Sequence, residues 1–190
     1  MNPPLAVLSD IVQFSGVGLH SGQHATVKMR RGKKGSGYCF QTKNNWRASL
    51  ERVVDTQYRT VLSDGVQSIQ TVEHLLSALY GLGVSDALIE VQGDEIPILD
   101  GSALPFTEKL KETDFGKSPD IGNVWTPSET VSYINSSTGA QIIYHPGKQL
   151  RILYHLMKNG KPVLSAEYIH SPESFVSDIA PARTYAFFSL

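Results

Sequence analysis

Cysteine is almost absent: one residue of 190, Cys39. That excludes a disulfide framework and a metal centre built from clustered thiolates. Any metal would have to be held by His, Asp or Glu. A chain with one thiol suits a reducing compartment. Charge of one sign is also lacking, since 17 Lys and Arg face 18 Asp and Glu, for a net charge of −1. No field of one sign draws such a chain to a phosphate backbone, so the composition argues against a general nucleic-acid binder. Long apolar runs are missing as well. The first one, Leu5–Leu8, is broken at Ser9-Asp10 and has no basic stretch before it. The sequence therefore shows no signal peptide and no transmembrane segment, and it points to the cytoplasm. A glycine-rich stretch is present at Ser15–Gly22, but no Gly-Lys-Ser or Gly-Lys-Thr follows it. It is not a phosphate-binding loop of the nucleotide triphosphatases.

What remains is an ordinary globular composition, 41% hydrophobic and 18% charged, of a length that suits one large domain or two small ones. Short alternating runs dominate the first half. Ile11–Phe14, His24–Met29 and Tyr38–Thr42 read as strands, with the basic segment Arg30–Gly35 as a solvated hairpin connection. Thr60–Leu62 and Gln67–Ile69 flank Ser63-Asp64-Gly65, a strong hairpin signal. A helix, a strand at Asp86–Val91, a turn over Asp94–Ser102 and a second helix at Ala103–Glu112 follow. Gly116, Pro119, Gly122 and Pro127 mark 114–127 as a linker. Beyond it strands return at Val131–Asn135, Ala140–His145, Leu150–Met157 and Val163–Ile169. A helix then starts at Ser171-Pro172-Glu173 and stops at Pro181. The expected class is α+β, sheet layered against helices. The expected domains are 1–113 and 128–190, the second incomplete. The apolar end, with Tyr185, Phe187, Phe188 and Leu190, suggests continuation into buried structure or cover for a partner.

The first helix carries the chemistry. Val72, Leu75, Leu76 and Leu79 fall at i, i+3, i+4 and i+7, an apolar stripe. Thr71 suits an N-cap, and Gly81 or Gly83 a stop. At about 100° per residue, His74 points away from the stripe and Glu73 lies on its flank. A metal hydrolase wants this pair, the His as a ligand and the Glu as a base for water. A first-turn Glu that suits the helix dipole, beside an exposed His, is the plainer alternative. His20, in the glycine-rich loop, is either a ligand-binding side chain or a solvated one.

Four stretches in order carry a resemblance. They are Gly16-Val17-Gly18-Leu19-His20-Ser21-Gly22, Thr71–Leu79 beginning Thr-Val-Glu-His, Glu95–Ala103 beginning Glu-Ile-Pro-Ile-Leu-Asp-Gly-Ser, and Ser174-Phe175 with Ala182-Arg183-Thr184-Tyr185. Together they resemble the UDP-3-O-acyl-N-acetylglucosamine deacetylases, zinc amidases of lipid A synthesis. The resemblance implies two similar α+β domains with the active site between them. It implies Glu73 as general base, His74 as a Zn2+ ligand and Thr184 as the hydroxyl that steadies the oxyanion. Leu19, His20 and Tyr185 would line the cleft for the UDP-linked acylated glucosamine. The family takes its other two zinc ligands from a later His-Lys-x-x-Asp motif, and a further His near the C-terminus acts on the intermediate. No His of this sequence is followed four residues later by Asp. His145 precedes a Pro-Gly turn, His155 sits in a strand and His170 precedes a helix. The expectation is an N-terminal portion of such an enzyme that needs a C-terminal half or a full-length relative. The alternative is a non-catalytic protein that kept the fold and binds a nucleotide-sugar glycolipid or a partner.

Overall fold

The computed structural model of the chain describes residues 4–41, 44–113, 115–121 and 126–183. They form two compact units. The first takes the chain up to residue 121 and then 172–183; the second takes 126–171.

In the first unit the strands are β1 (Pro4–Leu8), β2 (Val12–Val17), β3 (His24–Arg31), β4 (Tyr38–Gln41), β5 (Trp46–Arg47), β6 (Val53–Asp55), β7 (Val61–Ser63), β8 (Ser68–Gln70), β9 (Val84–Gln92) and β10 (Phe115–Ile121). Two helices, α1 (Glu73–Gly81) and α2 (Leu104–Lys111), flank β9 in sequence. The class is α+β, as the alternation of patterns predicts.

β9 is the strand on which this unit is assembled. Antiparallel β3 runs along one edge, opposite residues 87–92. Parallel β4 and parallel β1 occupy the other edge, at residues 87–90 and at Val84 and Asp86. Ala87 and Ile89 are fully buried between these neighbours. β2 pairs with β3 in a regular antiparallel ladder from Val12–Met29 to Val17–His24. Ala25, Val27 and Met29 form the inward row of β3, the side the alternation selects. The helices cover the inner face. Phe14 of β2 meets Phe106 of α2 with ring centroids 4.9 Å apart and planes 59° apart, and Leu75, Leu79, Phe106 and Leu110 have no exposed surface. Burying one such side chain contributes about 1.5–3 kcal/mol.

Two expectations are corrected here. The basic stretch after β3 does not close a hairpin, because β3 and β4 lie on opposite edges of β9. Gly32 and Gly37 make this possible. Gly32 donates to the Asp86 carbonyl at 3.3 Å, and Gly37 donates to the Asp86 carboxylate at 2.7 Å. A β-carbon on Gly32 would press on the Asp86–Ala87 backbone. Within the stretch that glycine and proline mark as linker, residues 115–121 form β10, antiparallel to β1. The segment before the first Ser-Asp break is thus a strand held between β9 and β10.

The hairpin at Asp64-Gly65 is present as β7–β8. Asp64 Oδ1 accepts the N–H groups of Val66 and Gln67 at 2.9 and 2.8 Å. β8 then leads into α1 through two residues, Thr71 and Val72.

The second unit holds two antiparallel hairpins, β11 (Val131–Ile134) with β12 (Gln141–Tyr144), and β13 (Arg151–Lys158) with β14 (Lys161–Ile169). Asn159-Gly160 turns the second hairpin, both residues at positive φ, 52° and 73°. That is the chemistry two-residue turns demand. None of its described residues is buried.

After the second unit the chain rejoins the first as α3 (Pro172–Ser174) and a π-helical turn, Phe175–Ile179. Phe175 and Ala180 are buried. Among the described residues, no helix is long and apolar enough to cross a membrane.

Candidate active site

Helix α1 has the predicted faces with one exchange. Val72, Leu75, Ala78 and Leu79 are buried, whereas Leu76 is half-buried. Glu73 and His74 are half-buried on the side away from that stripe. Gly83, at φ 73°, lets the chain leave the helix.

Thr71 is not the N-cap, which corrects the reading of the sequence. It sits at φ 57°, in the left-handed region that β-branched residues rarely enter. Its hydroxyl donates to Glu95 Oε1 at 2.7 Å instead of capping the helix. Val72 precedes the first turn without any side-chain cap. Glu73 binds outward too: its Oε2 accepts the Thr60 N–H at 3.1 Å.

Glu95 is the side chain that sequence reasoning missed. It stands in the third matched stretch, but the residue is only 1% exposed. Oε1 accepts the His20 N–H at 3.0 Å and Oε2 the Ser21 N–H at 2.7 Å. Burial pushes this carboxyl upward, yet the hydrogen bonds from Ser21, His20 and Thr71 outweigh it and hold the group at about 2. The signal available in the sequence was a carboxylate directly before the apolar Ile96-Pro97-Ile98-Leu99.

Two adjoining hollows open on either side of Glu73 and His74. One, about 260 Å³, is lined by Leu19, His20, Tyr58 and Ile98 beside that pair, with Arg183 at its edge. The other, about 230 Å³, is closed by Ser77, Ala103, Ile179 and Ala182. The structure thus brings Leu19, His20, Glu73 and His74 together. Thr184 and Tyr185, along with the apolar run to Leu190, lie outside the described residues. Tyr58, at φ 64°, is a lining residue the sequence did not flag.

The chain from Ile179 to Arg183 is a wall of both hollows and is held at two points. Arg183 Nη2 and Nε donate to the Asp100 carboxylate and carbonyl, each at 2.8 Å. For the Asp100 carboxyl, burial pulls upward, but the bonds from Ser102 and Arg183 keep it below the usual carboxylate range. The second point is Phe175, whose ring rests on Gly81 so closely that a β-carbon there would overlap it. Gly→Ala inside a helix ordinarily stabilises by about 0.5–1 kcal/mol. Gly81→Ala should instead cost about 1–3 kcal/mol by overpacking. Urea denaturation checks this, and the double variant with Phe175→Leu should recover part of the loss. A stabilised Gly81→Ala would mean that the wall does not rest on the helix.

A catalytic zinc centre takes about three protein ligands. His74 offers one nitrogen, and the Glu73 carboxylate is engaged with Thr60. Among the described residues, no three His, Cys, Asp or Glu side chains gather as a metal site. The described residues do not by themselves make a zinc centre.

A family model described as UDP-3-O-acyl N-acetylglycosamine deacetylase matches residues 6–189. A UDP-3-O-acyl-N-acetylglucosamine deacetylase of Geobacter sp. (strain M21) is 31% identical over 95% of this chain and 61% of its own length. The enzyme of the same description from Syntrophus aciditrophicus (strain SB) is 33% identical over 95% of this chain and 59% of its own. That of Thermodesulfovibrio yellowstonii is 30% identical over 93% and 61%. The chain spans about three fifths of the length of these relatives. With the family model running nearly end to end, the chain belongs to the UDP-3-O-acyl N-acetylglycosamine deacetylase family.

Proposed function

We propose that the protein serves the hydrolysis of the acetamide of UDP-3-O-acyl-N-acetylglucosamine, giving the free amine and acetate for lipid A synthesis. The observation that carries this reading is the adjacent Glu73 and His74 on the cleft side of α1, with Leu19 and His20 across from them. Glu73 takes the proton of the attacking water. One of its oxygens is fixed by the Thr60 N–H, which orients the carboxylate and leaves the other oxygen for that proton. The Thr184 hydroxyl is proposed as the donor to the oxyanion of the tetrahedral intermediate. Its neighbour Arg183 lines the same cleft, which supports the assignment. Leu19, His20 and Tyr185 are proposed to contact the substrate. Zinc is the proposed metal, with His74 as one ligand and the others supplied from outside these 190 residues. Residues 128–190 are proposed to be the incomplete second of two similar domains.

The test is acetate release from a UDP-3-O-acyl-N-acetylglucosamine by the native gene product, with and without a zinc chelator. Chelation should abolish turnover, and zinc should restore it. An inert but substrate-binding protein would favour the second reading, a non-catalytic glycolipid binder.

A separate expectation concerns the 190 residues alone. Metal sites gain affinity by closing several ligands at once. Dialysis of this chain against micromolar zinc should therefore leave well under one equivalent bound, measured by atomic emission. Stoichiometric zinc would mean that His145, His155, His170 or a carboxylate supplies further ligands.

A further inference from the structure

The geometry points to Glu95 as a positioning residue that fixes the two facing walls of the cleft against each other. This rests on the proposed site at Glu73 and His74 and deepens it. One wall is the loop Gly18–Gly22, which presents Leu19 and His20. The other is the start of α1, which presents Glu73 and His74. No other described side chain is hydrogen-bonded to both.

The linkage is direct. Oε2 takes the Ser21 N–H, and Oε1 takes both the His20 N–H and the Thr71 hydroxyl, at 2.7, 3.0 and 2.7 Å. The backbone on either side is pinned to β8. Gln70 donates to the Asp94 carbonyl at 2.9 Å, and Ile96 donates to the Gln70 carbonyl at 3.0 Å. The carboxylate therefore sits at a fixed depth relative to the strand that feeds α1. From that depth it reaches across to the loop.

Two features show that the surroundings are shaped for it. Gly18 is the only residue type that fits beside Oε2, because a β-carbon there would overlap both Oε2 and Ser21 Oγ. Thr71 is held at φ 57°, a conformation that persists only when its surroundings over-determine it. Its hydroxyl bond to Glu95 holds it there together with the backbone bonds of Gln70 and Val72 on either side. The partners of the carboxylate are N–H and O–H donors of the two walls, so its charge is used to order backbone. Hydrogen bonds to a charged acceptor are about twice as strong as neutral ones.

The consequence is that the separation between His20 and the Glu73–His74 pair is set by one side chain that touches no substrate. Glu95→Gln keeps the shape, but it turns one acceptor oxygen into a donor that faces donors. Thr71→Val removes only the arm to the helix.

The experiment uses the full chain, with isotope labelling. Amide exchange should rise about 10–100-fold at His20 and Ser21 in Glu95→Gln, the size expected for losing a bond to a charged acceptor. The ring signals of both His20 and His74 should shift, while exchange at the Asp64-Gly65 turn stays unchanged. In the native gene product the same variant should lower kcat/KM for the UDP-sugar substrate at least about tenfold, as misplacement of reacting groups does. Unchanged His20 and Ser21 exchange overturns the proposal, and so does an equal rise at the Asp64-Gly65 turn, which would report general loosening. If Glu95→Gln does not fold, Thr71→Val decides. It should shift the His74 ring signals and leave the His20 amide protected, and no response at His74 overturns the proposal. If the wild-type protein releases no acetate, the deacetylase reading fails, while the exchange and ring signals still decide the positioning role.

Discussion

Glu73→Gln is expected to lower acetate release by the native gene product by about 10²–10⁴-fold, the usual contribution of a positioned general base. The substitution isolates proton transfer. The amide oxygen of Gln can still accept the Thr60 N–H that Glu73 Oε2 accepts at 3.1 Å, so the side chain keeps its anchor. What is lost is basicity alone. The denaturation midpoint should therefore stay near that of the wild type, since changes away from the core usually stay within about 0.5 kcal/mol. The expected kinetic pattern is a fall in kcat with little change in KM, the mark of an interaction made in the transition state. Activity within tenfold of the wild type would remove Glu73 from the base role and favour the dipole-satisfying reading of a first-turn Glu. Glu73→Ala is the informative companion. It deletes the acceptor for Thr60 as well, so any extra loss of stability measures that bond.

The second large effect is on acid stability, through Glu95. Its carboxyl titrates at 4.5 when unperturbed and at about 2 in the folded protein. A carboxyl whose folded value is depressed stabilises the fold at pH above its unfolded value. That stabilisation is lost as the pH falls from about 4.5 to about 2. At about 1.4 kcal/mol per pH unit, the gap amounts to about 3 kcal/mol. Other carboxylates titrate over the same range, so the measurement is a difference between proteins. Unfolding free energies of wild type and Glu95→Gln should differ by about 3 kcal/mol near neutrality and converge toward pH 2. A difference that stays constant over that range would mean that the charge of Glu95 contributes nothing to the fold.

Local features of the chain were legible in the sequence, and long-range ones were not. The buried stripe of α1, the Asp64-Gly65 and Asn159-Gly160 turns and the β2–β3 ladder all follow from residues close together in sequence. Glu73 and His74 could be placed off the core from helical period alone. The relation of β3 to β4 could not, because β9, which separates them, lies more than forty residues further on. Glycine and proline concealed β10, since they mark a linker by composition, yet the strand forms by pairing with β1 at the far end of the chain. Thr71 misled for a chemical reason. A threonine before a helix normally offers its hydroxyl to the helix, and nothing local announced a competing acceptor twenty-four residues later. The site showed the same division. The residues that face the cleft stood out as motifs, while the buried carboxylate that spaces them read as part of a turn.

The order of pairing also sets a schedule for synthesis on the ribosome. β1 is made roughly a hundred residues before its partner β10. At about 5–20 residues per second, the N-terminal strand waits on the order of 5–20 s for its outer neighbour. The wall from Ile179 to Arg183 comes later still, after all of the second unit has been translated. The sheet and the Glu73–His74 helix can thus be folded while one side of the cleft is still unmade. The cleft is completed only when Phe175 reaches Gly81 and Arg183 reaches Asp100. A nascent chain stalled between those two points would carry the pair of residues on an open surface.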